Sequence, residues 1–133
     1  MKAKKESMLK ILLIDDDEEV RETLSSILEL YDYAVTTCDG GKGGLEVLSN
    51  QNFDCILLDL TMPNFSGFDF LEELGHEKIS SNFIFTLSAM NLSNQQREYL
   101  IKMGIKKMIS KPIGTDELIE ILEKVELNEA LCV

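Results

Sequence analysis

Basic residues are scarce in this chain of 133: 13 Lys and Arg stand against 24 Asp and Glu, a net charge of −11, with an isoelectric point near 4.5. That balance argues against direct nucleic-acid binding, which draws on Lys and Arg to meet phosphates. It suits basic partners or a bound cation. Cysteines are few: Cys38, Cys55 and Cys132 are scattered, odd in number and form no CxxC pair. Such a set reads as reduced thiols of a cytoplasmic protein. Long apolar runs are missing too, none nearing the ~20 residues of a membrane span. Lys2, Lys4, Lys5 and Lys10 are not followed by the apolar core of a signal peptide. The chain is therefore expected in the cytoplasm, with no membrane insertion. With 44% hydrophobic and 28% charged residues, it is globular rather than disordered. Its length holds one core and not two.

The chain is organised around Cys55-Ile56-Leu57-Leu58-Asp59-Leu60-Thr61-Met62-Pro63. A short, continuously apolar run bounded by breakers fits a strand covered on both faces, as in a parallel sheet. Lys10 to Ile14 is a second such run, and it too ends in acid, Asp15 to Glu19. From Val20 the period changes: Val20, Leu24, Ile27, Leu28 and Tyr31 mark one face of a helix. Tyr33 to Cys38, Phe83 to Leu87 and Lys107 to Ser110 supply three further strands. The glycine-rich Asp39 to Gly44 predicts a turn leading into a weak helix through Leu45 and Leu48. It lacks GxxxxGK[ST] and so is no nucleotide loop. Phe68, Leu71 and Leu74 mark the next helix, and Ser93 to Gln96 form a capping box before another, which Gly104 ends. A last helix starts near Thr115 with Leu118, Ile121, Leu122 and Val125 on one face. Five strand patterns thus alternate with five helical ones. This predicts an α/β domain, a doubly wound parallel sheet of three layers. Residues 1–8 read as a loose arm, 9–127 as the domain and 128–133 as a tail.

In a parallel sheet the strand ends share one edge, where ligands bind. Asp15 and Asp16, Asp59, Ser88 and Lys111 all follow or close strands. Each has a plainer explanation alone: Asp15 to Glu19 as a solvated helix start, Asp59 as a turn cap, Lys111 as a surface lysine before proline. Together they describe a carboxylate nucleophile, a metal site and two groups to hold a phosphoryl oxygen. Oxygen-only ligands suit Mg²⁺.

These segments, ILLIDDDEEVR, LLDLTMPNFSGFDFL, TLSA and KP in that order, resemble the receiver domain of two-component response regulators. The resemblance covers nearly the whole chain and implies the flavodoxin-like fold of the chemotaxis regulator. It implies that Asp59 is the phosphorylated aspartate and that Asp16 and, through water, Asp15 bind Mg²⁺ with Asp59. The backbone carbonyl of Thr61 would join them. Ser88 matches the switch hydroxyl, Ala89 the small neighbour that leaves room for the phosphoryl group, Lys111 the phosphoryl-pairing lysine, and Pro112 the proline after a cis bond. Met108 departs from the pattern, because the family places Tyr or Phe there. A flexible Met predicts looser coupling in the active state. Met90 offers no group to orient a hydrolytic water, which predicts slow autodephosphorylation.

The partners implied are a sensor histidine kinase or phosphotransfer protein and an unidentified downstream protein. A phosphorylation-linked dimer is open. The output surface is expected around Tyr99, Met108 and Leu118. The domain would be a signalling phosphoacceptor and not an enzyme. Competing readings are a phosphorylation-independent scaffold, which would lack the acceptor or acidic pair, a flavodoxin, and a haloacid-dehalogenase-type phosphatase. The acidic loop Asp15 to Glu19 would repel a flavin phosphate, and the phosphatase needs a second Asp where Thr61 stands.

Overall fold

The computed structural model describes residues 9–127. The expected arm and tail, and Cys132 with them, lie outside the described residues. Strands β1 (Lys10–Ile14), β2 (Ala34–Cys38), β3 (Cys55–Asp59), β4 (Ile84–Ser88) and β5 (Lys107–Ser110) form one sheet in the order β2-β1-β3-β4-β5. Every neighbouring pair is parallel. Helices α1 (Glu18–Leu30), α2 (Gly41–Asn50), α3 (Gly67–Leu74), α4 (His76–Ser80), α5 (Asn94–Met103) and α6 (Thr115–Glu126) make the crossovers.

Alternation along the strands divides the core in two. Ile11, Leu13, Cys55, Leu57, Phe85, Leu87 and Ile109 pack against Leu24 and Leu28 of α1 and the buried face of α6. Leu12, Ile14, Ile56, Leu58 and Ile84 face the other way, against Phe70 and Leu71 of α3, Ile79 of α4 and Leu100 of α5. Strands buried on both faces need continuous apolar runs; β1 and β3 have them, and that of β4 is broken by Thr86. Cys38 and Cys55 are both free thiols, Cys55 fully buried.

Among the described residues six helices stand where five were expected. The additional one, α4, has only five residues, too short for a 3.6-residue period to show. Gly75 at φ 90 separates it from α3, a left-handed turn that favours glycine. The glycine cluster also behaves differently from expectation, because α2 starts at Gly41 and includes Gly43 and Gly44. Close packing explains this. A methyl on Gly44 would stand 2.5 Å from Ile14 Cδ1, and one on Gly41 would stand 2.5 Å from the Phe65 ring. Tyr31 is not on the buried face of α1, because the helix ends at Leu30 and the tyrosine, its C-cap, is half exposed. The α5 boundaries match the sequence reading, with the Ser93/Gln96 capping box at one end and Gly104 at φ 102 at the other.

Candidate functional site

Chain order makes β1 the first strand, with β2 on one side and β3 on the other. The C-terminal ends of β1 and β3 therefore flank the topological switch point, where a doubly wound sheet leaves a crevice. Asp59 closes β3 and Asp15 follows β1 directly. Asp15 is fully buried and Asp59 is 2% exposed, whereas Asp16 faces solvent. One carboxylate oxygen from each of the three lies within 4.8 Å of the others.

Lys111 is the cation set against them. Its Nζ donates to Asp15 Oδ2 at 2.7 Å and stands 3.6 Å from Asp59 Oδ1. The Lys111–Pro112 peptide bond is cis. Asp15 Oδ1 accepts from the Asp17 amide at 2.9 Å, and Asp17 in turn caps α1 with its side chain. Asp59 Oδ1 accepts from the Thr61 amide at 3.1 Å. Ser88 is buried one residue beyond Leu87, the register partner of Asp59. Its hydroxyl is engaged by the backbone of Met90, donating to the carbonyl and accepting from the amide at 3.1 Å each. Ala89 and Lys111 border an apolar cavity of about 400 Å³ between α1 and the segment after β5.

The electrostatics follow from burial. Desolvation pushes the Asp59 carboxyl up to about 6. The Asp15 charge and a side-chain hydrogen bond with Asp15 push the same way, while the Thr61 amide and Lys111 pull down. Burial alone would lower Lys111, but the hydrogen bond to Asp15 and the charges of Asp59 and Asp15 outweigh it and raise its pKa. Three carboxylates against one ammonium leave a deficit of positive charge. A hard divalent cation that takes a few carboxylates and retains several waters answers that deficit. The donor set, oxygen only and open to solvent at Asp16, fits Mg²⁺.

The comparisons with known proteins agree with this geometry. A family model described as "Response regulator receiver domain" matches residues 11–123. The chain belongs to the response regulator receiver domain family. Among curated relatives, the response regulator SaeR of Staphylococcus aureus is 28% identical over 114 residues, 84% of this chain and 48% of SaeR. The chain thus spans about half the length of the curated relatives it matches. A CheY-like receiver domain protein from Methanospirillum hungatei superposes with a TM-score of 0.82 at 26% identity, covering 91% of this chain and 96% of that one. The chemotaxis protein CheY4 of Vibrio cholerae gives 0.80 at 26%, over 90% and 99%. TrrA of Thermotoga maritima, solved in complex with Mg²⁺ and BeF, gives 0.75 at 29%, over 89% and 99%.

Asp15, Asp16, Asp59 and Lys111 of this receiver meet in one cluster, while the Ser88 hydroxyl is turned to Met90. The expected output surface needs correction. Leu118 is fully buried among the α1–α6 core, whereas Tyr99 and Met108 pack in the cluster on the opposite face of the sheet. The sequence reading also passed over two residues at the site. Gly67 presses on the end of β3: a methyl there would stand 2.5 Å from the Asp59 carbonyl oxygen. Arg21 donates through Nη1 to the Asp15 carbonyl at 2.7 Å. A signal for Arg21 existed, since a cation close to a helix N-terminus opposes the dipole and calls for a reason.

Proposed function

We propose that this receiver, extending over residues 9–127, takes a phosphoryl group onto Asp59 from a partner histidine kinase or phosphotransfer protein in a Mg²⁺-dependent reaction. The observation that carries the reading is the meeting of Asp15, Asp16 and Asp59 with Lys111 at the strand ends. Asp15, Asp16, Asp59 and the Thr61 carbonyl would hold Mg²⁺, which when bound supplies positive charge to the phosphoryl oxygens. A carboxylate oxygen of Asp59 attacks the phosphorus in line, an O–P bond forms, and the donor's P–N bond breaks with its electron pair returning to the imidazole. Lys111 stabilises the charge on the transferred group, and Ala89 leaves it room. The raised pKa of Asp59 is no obstacle at neutral pH, because the carboxylate form still prevails above about 6.

The phosphorylated aspartate brings new acceptor oxygens that draw the Ser88 hydroxyl away from Met90, a local charge change that biases a two-state element. Met108 in place of an aromatic residue loosens the coupling to the output surface on β5 and α5, where Tyr99, Met108 and the exposed Ile101 lie. The domain is a signalling module in the cytoplasm and not an enzyme. Its downstream contacts are with protein. The test is intact mass spectrometry after incubation with acetyl phosphate and Mg²⁺, beside Asp59→Asn. One phosphoryl adduct that needs Mg²⁺ and is absent from the variant is expected. No adduct in the wild type, together with no binding of the beryllofluoride mimic, would leave a phosphorylation-independent scaffold.

A further inference from the structure

Arg21 is the fourth residue of α1, behind Glu18 and Glu19, which suit the positive end of the helix dipole as Arg21 does not. It is half-buried, and its guanidinium is committed to one main-chain acceptor, the Asp15 carbonyl, at 2.7 Å. That carbonyl belongs to the peptide joining Asp15 to Asp16. The rest of Asp15 is already fixed: its amide donates to the Cys38 carbonyl at 3.1 Å, Oδ1 accepts from Asp17 and Oδ2 from Lys111. Asp16 is different. It is exposed, and none of the described side-chain hydrogen bonds reaches its carboxylate. The plane of the Asp15–Asp16 peptide sets the direction in which the Asp16 side chain leaves the backbone, and Arg21 grips that plane.

We infer that Arg21 is a positioning residue, holding the Asp15–Asp16 peptide so that the exposed Asp16 carboxylate completes the acidic triad around the cation. The inference rests on the phosphoacceptor reading of the site. It competes with a simpler role, in which the guanidinium only offsets the negative charge of the triad. The two roles have opposite signs toward a divalent cation. Removing a nearby positive charge tightens Mg²⁺ binding by Coulomb's law. Removing an outer-shell grip on a ligand weakens it, as the loss of such partners generally does.

Calorimetric titration of Mg²⁺ into the wild type, Arg21→Met and Arg21→Lys at fixed ionic strength separates them. Arg21→Met is expected to bind Mg²⁺ on the order of tenfold more weakly, with Arg21→Lys between it and the wild type. Mg²⁺ binding by Arg21→Met as tight as the wild type or tighter would overturn the inference, even with Asp59 phosphorylated normally in the wild type. A wild type that binds no Mg²⁺ would bring down the phosphoacceptor reading and this inference together. Should Arg21→Met not fold, Arg21→Lys decides alone: it keeps the charge, so weaker binding supports positioning and unchanged binding overturns it.

Discussion

Asp59 is held as a carboxylate in a place that favours the acid. Its carboxyl is raised from 3.8 to about 6, first by desolvation. The folded protein therefore binds this proton more tightly than the unfolded chain. Stability is greatest below the unfolded value, falls as pH rises through the interval between them, and the loss is complete above the folded value. Asp59→Asn is accordingly expected to be more stable than the wild type at pH 7.5 without Mg²⁺, by about 1–3 kcal/mol. The gain should disappear near pH 4, and urea melts at the two pH values check both statements. A second residue-scale cost lies at Thr86, 1% exposed on β4, whose hydroxyl finds no partner among the described residues. Its register neighbours are Leu58 and Met108, neither able to answer a hydroxyl. Replacing a buried unsatisfied hydroxyl by a methyl of similar shape is favourable. Thr86→Val should raise the urea midpoint, a stabilisation of about 1 kcal/mol.

Among the elements, α3 starts directly against the end of β3 that carries Asp59. The Gly67 amide donates to the Leu60 carbonyl at 3.1 Å, and Gly67 lies against the Asp59 carbonyl and the Leu60 Cα, with no room for a side chain. Gly67→Ala must push backbone apart, and such overpacking costs about 1–3 kcal/mol. It should also slow phosphorylation by acetyl phosphate, since the displaced backbone carries Asp59. Gly40→Ala is the control, with nothing within 4 Å of the added methyl. Thermal melts and adduct formation should leave Gly40→Ala near the wild type and Gly67→Ala impaired in both. The ends of α5 could be read from residue types, because Ser93, Gln96 and Gly104 each do a local job. The start of α2 could not, because glycines disfavour a helix intrinsically and are accepted here for contacts with Ile14 and Phe65 that lie far off in sequence.

For the molecule as a whole the net charge is −11, and among the described residues the buried carboxylates Asp15 and Asp59 stand with the exposed Asp16 at one end of the sheet. A cation bound there by the folded state alone stabilises it by mass action, about 1.4 kcal/mol at ten times the dissociation constant. Mg²⁺ should therefore raise the melting temperature more than NaCl of equal ionic strength. Asp16→Asn, which removes the exposed carboxylate without emptying the core, should erase most of that difference. An equal rise with both salts would mean general screening in place of a site.

The sequence by itself determined the alternation of buried strands and amphipathic helices, hence the parallel sheet. It also determined the positions of Asp15, Asp16, Asp59, Ser88 and Lys111 at strand ends. Those features are local: apolar runs, periods and breakers act within a dozen residues. Tertiary structure alone decided what depends on the gap between elements. It turned the glycine cluster into a helix, buried Leu118 away from Tyr99 and Met108, paired Lys111 first with Asp15, and gave Arg21 a carbonyl to hold. Each of these outcomes is fixed by a contact across elements, where an ångström of spacing decides between a hydrogen bond, a clash and a solvated charge.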